Sequence, residues 1–173
     1  MTNRLKATIS DLTVISRLQQ DEVAPPEPLS FADMLSEVLL DLQGLLEASG
    51  ATIRTAWTEP FVSYPRKNLR SILYNLVSNA LKYRSLERAL VVELSTIRQG
   101  DQLVLCVRDN GLGLSASQLP KLFGMFKRLH SHVEGSGIGL YITKRMIENQ
   151  GGHIEVESQE GKGTTFRVYF IQP

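Results

Sequence analysis

Three segments in a fixed order constrain this chain more than its composition does: Asn75 to Tyr83, Asp109 to Gly113, and Gly135 to Leu140. The first continues an apolar pattern of helical period, in which Leu69, Ile72, Leu73, Leu76, Val77 and Ala80 share one arc. The second closes a strand-like run and turns on two glycines. The third, Gly135-Ser-Gly137-Ile-Gly139-Leu140, opens a helix predicted from about Ile138 to Gln150. Helices and strands therefore alternate along the chain, with polar and glycine-rich punctuation at their ends.

The rest of the pattern fits that frame. Leu5, Ile9, Leu12, Ile15 and Leu18 predict a helix over residues 3 to about 21. It starts almost at Met1, as the end of a longer helix would. Pro25, Pro26 and Pro28 cannot continue a helix, so residues 1–22, a linker at 23–29 and a main domain at 30–173 are expected. Ser30 is an N-cap for a helix to about Ala48, which Gly50 ends. A strand follows at Thr52 to Trp57, then a helix from Pro65 to about Tyr83. Val91 to Ile97 and Gln102 to Arg108 flank Gln99-Gly100-Asp101 as a hairpin. Gly151-Gly152 stops the last helix, His153 to Ser158 is a strand, and Gly161-Lys162-Gly163 turns into a final strand to Ile171.

Composition narrows the function classes. At 173 residues the chain suits one ordinary domain with a short appendage. A net charge of +1 argues against nucleic acid or an anionic membrane surface as a partner. No apolar stretch approaches a membrane span of about 20 residues, and no secretory signal is visible, so a cytoplasmic chain is expected. The single cysteine, Cys106, excludes an intrachain disulfide and reads as a buried, inert thiol within Leu103 to Val107.

Each marked segment has both a chemical and a plain structural reading. Asn75 and Asn79 are one helical turn apart, with Lys82 on the same stripe beside the apolar arc. They read either as solvated surface residues or as amide oxygens for a hard Mg²⁺ ion, with Lys82 meeting a phosphate. Asp109 reads as part of an ordinary Asp-Asn-Gly turn or as an acceptor for the exocyclic amine of adenine. In that second reading Gly111 and Gly113 let the backbone approach the base. Gly135, Gly137 and Gly139 form either a flexible linker or a phosphate cradle at a helix N-terminus. The spacing is not that of a dinucleotide fingerprint, and Gly161-Lys162-Gly163-Thr164 lacks the Ser or Thr that a P-loop needs after its Lys. Together the chemical readings describe a site for Mg-ATP.

With Phe123-Gly-Met-Phe126 between the second and third, these segments closely resemble the ATP-binding catalytic domain of sensor histidine kinases. That family is part of the GHKL group, with DNA gyrase and the mismatch-repair ATPases. Asn75 to Tyr83 match its N box, Asp109 to Gly113 the G1 box, Phe123 and Phe126 the F box, and Gly135 to Leu140 the G2 box. Residues 161–166 resemble the family's closing segment, and residues 1–22 resemble the end of the dimerisation helix that precedes such domains.

The resemblance implies a two-layer α/β sandwich, a mixed sheet with helices on one face and a mobile ATP lid from Phe123 to Glu134. It implies that Asn79 binds Mg²⁺ with Asn75 nearby, and that Lys82 and Tyr83 contact the nucleotide. Asp109 would recognise adenine, with Gly111 and Gly113 beside it and Thr164 supporting the pocket. Gly135, Gly137, Gly139 and Leu140 would form the lid hinge, and Arg128 would meet the terminal phosphate. The γ-phosphoryl would pass to a histidine on a dimerisation domain, in a homodimeric kinase that serves a response regulator. The chain departs from that pattern in one respect. Its histidines are His130, His132 and His153, none upstream where a phosphoacceptor belongs, so a catalytic half without its acceptor is expected. His130 and His132 lack the further clustered ligands of a metal site, and His153 reads as structural. Two other functions compete. Related ATPases resemble one another in placing a water-activating Glu four residues before the metal-binding Asn, where this chain has Asn75. A nucleotide-sensing interaction module without turnover is the other.

Overall fold

The computed structural model describes residues 24–124 and 139–172, together with Ile9. The helix predicted over residues 3–21 therefore lies outside the described residues, apart from Ile9, which is helical and exposed. Seven strands and four α-helices follow in the order β1 (Glu27–Ser30), α1 (Phe31–Asp41), α2 (Gln43–Ser49), β2 (Thr52–Trp57), β3 (Phe61–Tyr64) and α3 (Arg66–Lys82). The second half holds β4 (Val91–Gln99), β5 (Gln102–Asp109), a 3₁₀ turn (Leu119–Lys121), α4 (Gly139–Asn149), β6 (His153–Gln159) and β7 (Gly163–Ile171).

Five strands form one mixed sheet in the order β2-β4-β5-β7-β6. β2 runs parallel to β4, and the other three pairings are antiparallel. Side chains alternate across a strand, so Val92, Leu94, Leu103, Leu105, Val107, Phe166, Val168 and Phe170 point to one face. All are buried against Phe31, Met34, Leu35 and Val38 of α1, the apolar arc of α3 and Ile147 of α4. This is the expected two-layer α/β sandwich, with its helices on one face of the sheet.

Three features differ from the sequence reading. Glu27–Ser30, taken as the end of a linker and a cap, pairs antiparallel with β3 as a separate two-stranded sheet. The helix expected to run from Ser30 to Ala48 breaks at Leu42, a buried residue outside helical geometry between α1 and α2. Ser30 does cap α1, accepting from the Asp33 amide at 3.2 Å. Cys106 is only half-buried, because the alternation that sends Leu105 and Val107 to the core sends Cys106 to the opposite face beside Arg167. On that face His153 stacks on Tyr169, with centroids 4.1 Å apart.

The small sheet is fastened to the large one by side chains from distant segments. Gln172 accepts from the Ser63 amide at 2.9 Å and donates to the Ser63 carbonyl at 3.2 Å. The fully buried Thr96 donates its hydroxyl to the Glu59 carbonyl at 2.6 Å. Tyr64 meets Phe170 edge-on at 4.9 Å, and its buried hydroxyl finds no hydrogen-bond partner among the described residues. Burial without a partner also drives that phenol's pKa far above its ordinary value. Replacing Tyr64 with Phe removes an uncompensated polar group and keeps the ring. Urea denaturation should show the variant as stable as the parent, or up to ~1 kcal/mol more stable. A loss above that size would mean that the hydroxyl has a partner.

Candidate functional site

The site is built where the C-terminal end of β5 meets the flank of α3. Asp109 is the last residue of β5 and faces the helix layer, in register with Thr164 of β7. Thr164 in turn pairs with Ser158 of β6. These three polar residues replace the apolar rows that fill the rest of this face. The Ser158 and Thr164 hydroxyls lie 2.8 Å apart, and the Ser158 hydroxyl also accepts from the Leu114 amide at 2.8 Å.

Asp109 is half-buried, and its Oδ1 accepts from the Gly111 amide at 2.8 Å. Burial raises its pKa to about 6, opposed by hydrogen bonds from the Gly111 and Thr164 amides and by the charge of Arg88. Near neutral pH it is a carboxylate held in a site that resists its charge. Such a group gains from a donor brought by a ligand.

The glycines here admit neighbouring backbone. A Cβ on Gly111 would lie 2.5 Å from the Tyr83 carbonyl oxygen, and one on Gly113 would lie 2.0 Å from that of Gln159. Gly113 also has φ +68°. The Leu112 amide donates to the Tyr83 carbonyl at 2.9 Å, so the glycine turn is sewn to the end of α3.

On α3, Asn75, Asn79 and Lys82 lie at the margin of the buried arc, each half-buried, with Tyr83 half-buried at the helix end. Asn75 looks toward α4. Its Nδ2 donates to the Gly139 carbonyl at 3.2 Å and to the Thr143 hydroxyl at 2.9 Å. The fully buried Thr143 donates to the same Gly139 carbonyl at 2.9 Å. Asn75 therefore ties α3 to the first turn of α4, where Gly139 and the half-buried Leu140 stand. Asn79 follows one turn later on that stripe, and its carbonyl accepts from the Tyr83 amide at 2.9 Å. Phe123 meets Phe166 edge-on at 6.4 Å and lies under the Lys144 ammonium, 5.3 Å from the ring centre.

Asp109, Gly111, Gly113, Tyr83 and Thr164 thus form one connected group, and Asn75, Gly139 and Leu140 form a second on the same helix flank. Phe126, Arg128, Gly135 and Gly137 lie outside the described residues, as does most of the predicted lid. Asn110, Arg88, Thr143 and Ser158 had no assigned part in the sequence reading. Asn110 had a signal, being an Asn inside a tight turn. Its Oδ1 accepts from the Val91 amide and its Nδ2 donates to the Ala89 carbonyl, each at 2.9 Å. Among the described residues, no three His, Cys, Asp or Glu side chains gather as a metal site, and no helix is long and apolar enough to cross a membrane.

Residues 65–173 match the family described as histidine kinase-, DNA gyrase B-, and HSP90-like ATPase. The methanogenesis regulatory histidine kinase FilI of Methanothrix harundinacea is 37% identical across all of this chain. The chain spans only 19% of that relative's length. Among solved structures, full-length ShkA in complex with AMPPNP superposes with TM-score 0.81 at 23% identity, over 98% of this chain and 36% of that one. The Acinetobacter baumannii histidine kinase AdeS gives 0.77 at 22% identity, over 95% of this chain and 76% of its own. At such identities the structural likenesses speak for the fold alone. By the family match and the kinship to named histidine kinases, this chain belongs to the histidine kinase-, DNA gyrase B- and HSP90-like ATPase family, as an ATP-binding catalytic domain of the sensor histidine kinase type.

Proposed function

We propose that this domain binds Mg-ATP between the α3 flank and the Asp109 turn and presents the γ-phosphoryl to a histidine on a dimerisation domain. The observation that carries this reading is Asp109, a carboxylate at a strand end whose burial disfavours its charge, with its Oδ1 engaged by Gly111. The adenine amine would add a further donor to those of the Gly111 and Thr164 amides. Thr164 would support that pocket, and Gly111 and Gly113 would hold its rim. When bound, Mg²⁺ neutralises charge on the triphosphate, and the Asn79 amide oxygen is the protein ligand that fits its preference for oxygen. Lys82 and Arg128 would meet phosphate oxygens, Tyr83 would contact nucleotide, and Gly135, Gly137, Gly139 and Leu140 would close over the phosphates. Positioning and charge neutralisation carry most phosphoryl transfers, and the acceptor imidazole is itself the nucleophile. In the parent kinase, expected to be a homodimer, a response regulator would then receive the phosphoryl group.

The hydrolytic alternative fares worse. The residue four before Asn79 is Asn75, which is no general base, and its amide nitrogen is committed to Gly139 and Thr143.

Calorimetric titration with a non-hydrolysable ATP analogue, with and without Mg²⁺ and beside its GTP counterpart, tests the binding half of the reading. Adenine-selective binding that Mg²⁺ strengthens is expected. Asn79→Ala should remove most of the Mg²⁺ dependence and leave the adenine preference in place. If the domain takes both bases equally, the Asp109 assignment is wrong. Phosphoryl transfer to a supplied acceptor domain separates the kinase from a module that only senses nucleotide.

A further inference from the structure

Arg88 stands in the loop between α3 and β4, 21 residues before Asp109, and nothing about its neighbours in sequence marks it out. Its Nε donates to the Asn110 carbonyl and its terminal nitrogen to the Gly111 carbonyl, each at 2.6 Å. One planar guanidinium thus holds two successive peptide groups of the Asp109 turn.

The other edges of those peptides are also held. The peptide between Asn110 and Gly111 has its carbonyl on Arg88 and its N–H on Asp109 Oδ1. The peptide between Gly111 and Leu112 has its carbonyl on Arg88 and its N–H on the Tyr83 carbonyl. Each peptide is therefore fixed at both ends, and its orientation follows from where the guanidinium sits. Removing the guanidinium leaves each peptide held at its N–H alone, so the Gly111 N–H is less firmly directed toward Oδ1. At a glycine, rotation of the peptide meets little steric resistance.

We infer that Arg88 is a positioning residue for base recognition, aiming the Asp109 carboxylate by clamping the two peptides that carry Gly111. This inference rests on the reading of Asp109 as the adenine acceptor. Arg88 contacts no nucleotide in this scheme and acts through the turn. Its charge, close to Asp109, also favours the ionised carboxylate.

The test compares ATP with inosine triphosphate, which carries an oxo group where adenine carries its amine. Calorimetry on the wild-type domain, Arg88→Ala and Arg88→Lys gives both affinities for each protein, with urea denaturation run alongside. Arg88→Ala should lose ATP affinity roughly tenfold and hold its inosine triphosphate affinity, so the preference shrinks. Arg88→Lys keeps the charge but has no fork for two carbonyls, and should recover stability without recovering the preference. Amide exchange at Gly111 and Leu112 should quicken in both variants. Equal losses for the two nucleotides would reduce Arg88 to a general structural role and overturn the inference, as would an intact preference in Arg88→Ala. If Arg88→Ala does not fold, an intact preference in Arg88→Lys overturns it. A wild-type domain that does not distinguish the two nucleotides would instead remove the Asp109 reading, and the inference with it.

Discussion

Asp109→Asn is expected to cost roughly a hundredfold in ATP affinity while leaving the free domain at least as stable as wild type. The affinity loss reflects one hydrogen bond to a charged acceptor, worth about 1.5–3 kcal/mol. The amide can still accept from the Gly111 N–H, so the turn keeps its shape. The stability effect follows from the raised pKa. A carboxylate shifted from 3.8 to about 6 in the folded state binds its proton more tightly there than in the unfolded chain. Its contribution to stability is thus full below the unfolded value and is lost as pH rises through about 6. Asn carries no such charge. The variant's advantage in urea should open between pH 4 and 6 and level off above, at no more than about 3 kcal/mol. A variant clearly less stable than wild type at pH 7.5 would mean that the ionised carboxylate is well solvated and the site relaxed. Unchanged ATP affinity would remove Asp109 from the binding site.

Gly163→Ala should damage the fold severely. Gly163 has φ +134°, a conformation that side chains rarely adopt. A Cβ there would lie 2.0 Å from the Asp109 carbonyl oxygen and 2.9 Å from Asn110 Cα. Both obstacles are backbone at the end of β5 and the residue after it, so relief means moving β7 off β5. A cost of about 4 kcal/mol is expected, a large share of the roughly 5–15 kcal/mol that holds a domain folded. Gly161 provides the control, because its φ is +80° but a Cβ there meets nothing within 4 Å. Gly161→Ala should cost about 1 kcal/mol. Urea midpoints for the two variants separate strain from collision, and equal midpoints would mean that β7 yields easily at Asp109.

Much of the large sheet was readable because its strands are long and alternate regularly. The pattern of β4, β5 and β7 shows Val92-x-Leu94, Leu103-x-Leu105-x-Val107 and Phe166-x-Val168-x-Phe170 directly. α3 was as plain, since Leu69, Ile72, Leu73, Leu76, Val77 and Ala80 recur at helical spacing on one buried arc. The paired four-residue strands β1 and β3 left no such trace, and the prolines before β1 pointed to a linker. Leu42 is apolar and in phase, so nothing in the helical pattern revealed the break there. Cys106 misled because a short apolar run does not say which residues face which way until a register is known. The boxes around Asn75, Asp109 and Gly139 stood out through unusual residues in regular elements. Arg88, Thr143 and Ser158 did not, because their roles depend on partners 22, 68 and 44 residues away in the chain. Such contacts create no periodicity and no local motif.

β7 follows every other strand in sequence yet lies inside the sheet, between β5 and β6. Sheet growth along the chain therefore leaves an unsatisfied edge on β5 until β7 slots in. Asp109 gains its neighbours Thr164 and Gly163 only at that moment, and Leu114 its bond to a Ser158 that β7 has fixed. Contacts of this separation make for slow, late assembly. A chain still being synthesised, or nicked before β7, would hold the Asn75 to Tyr83 segment and the Asp109 turn without Thr164 beside them. If the proposed nucleotide site is right, capture of nucleotide should report completion of the sheet.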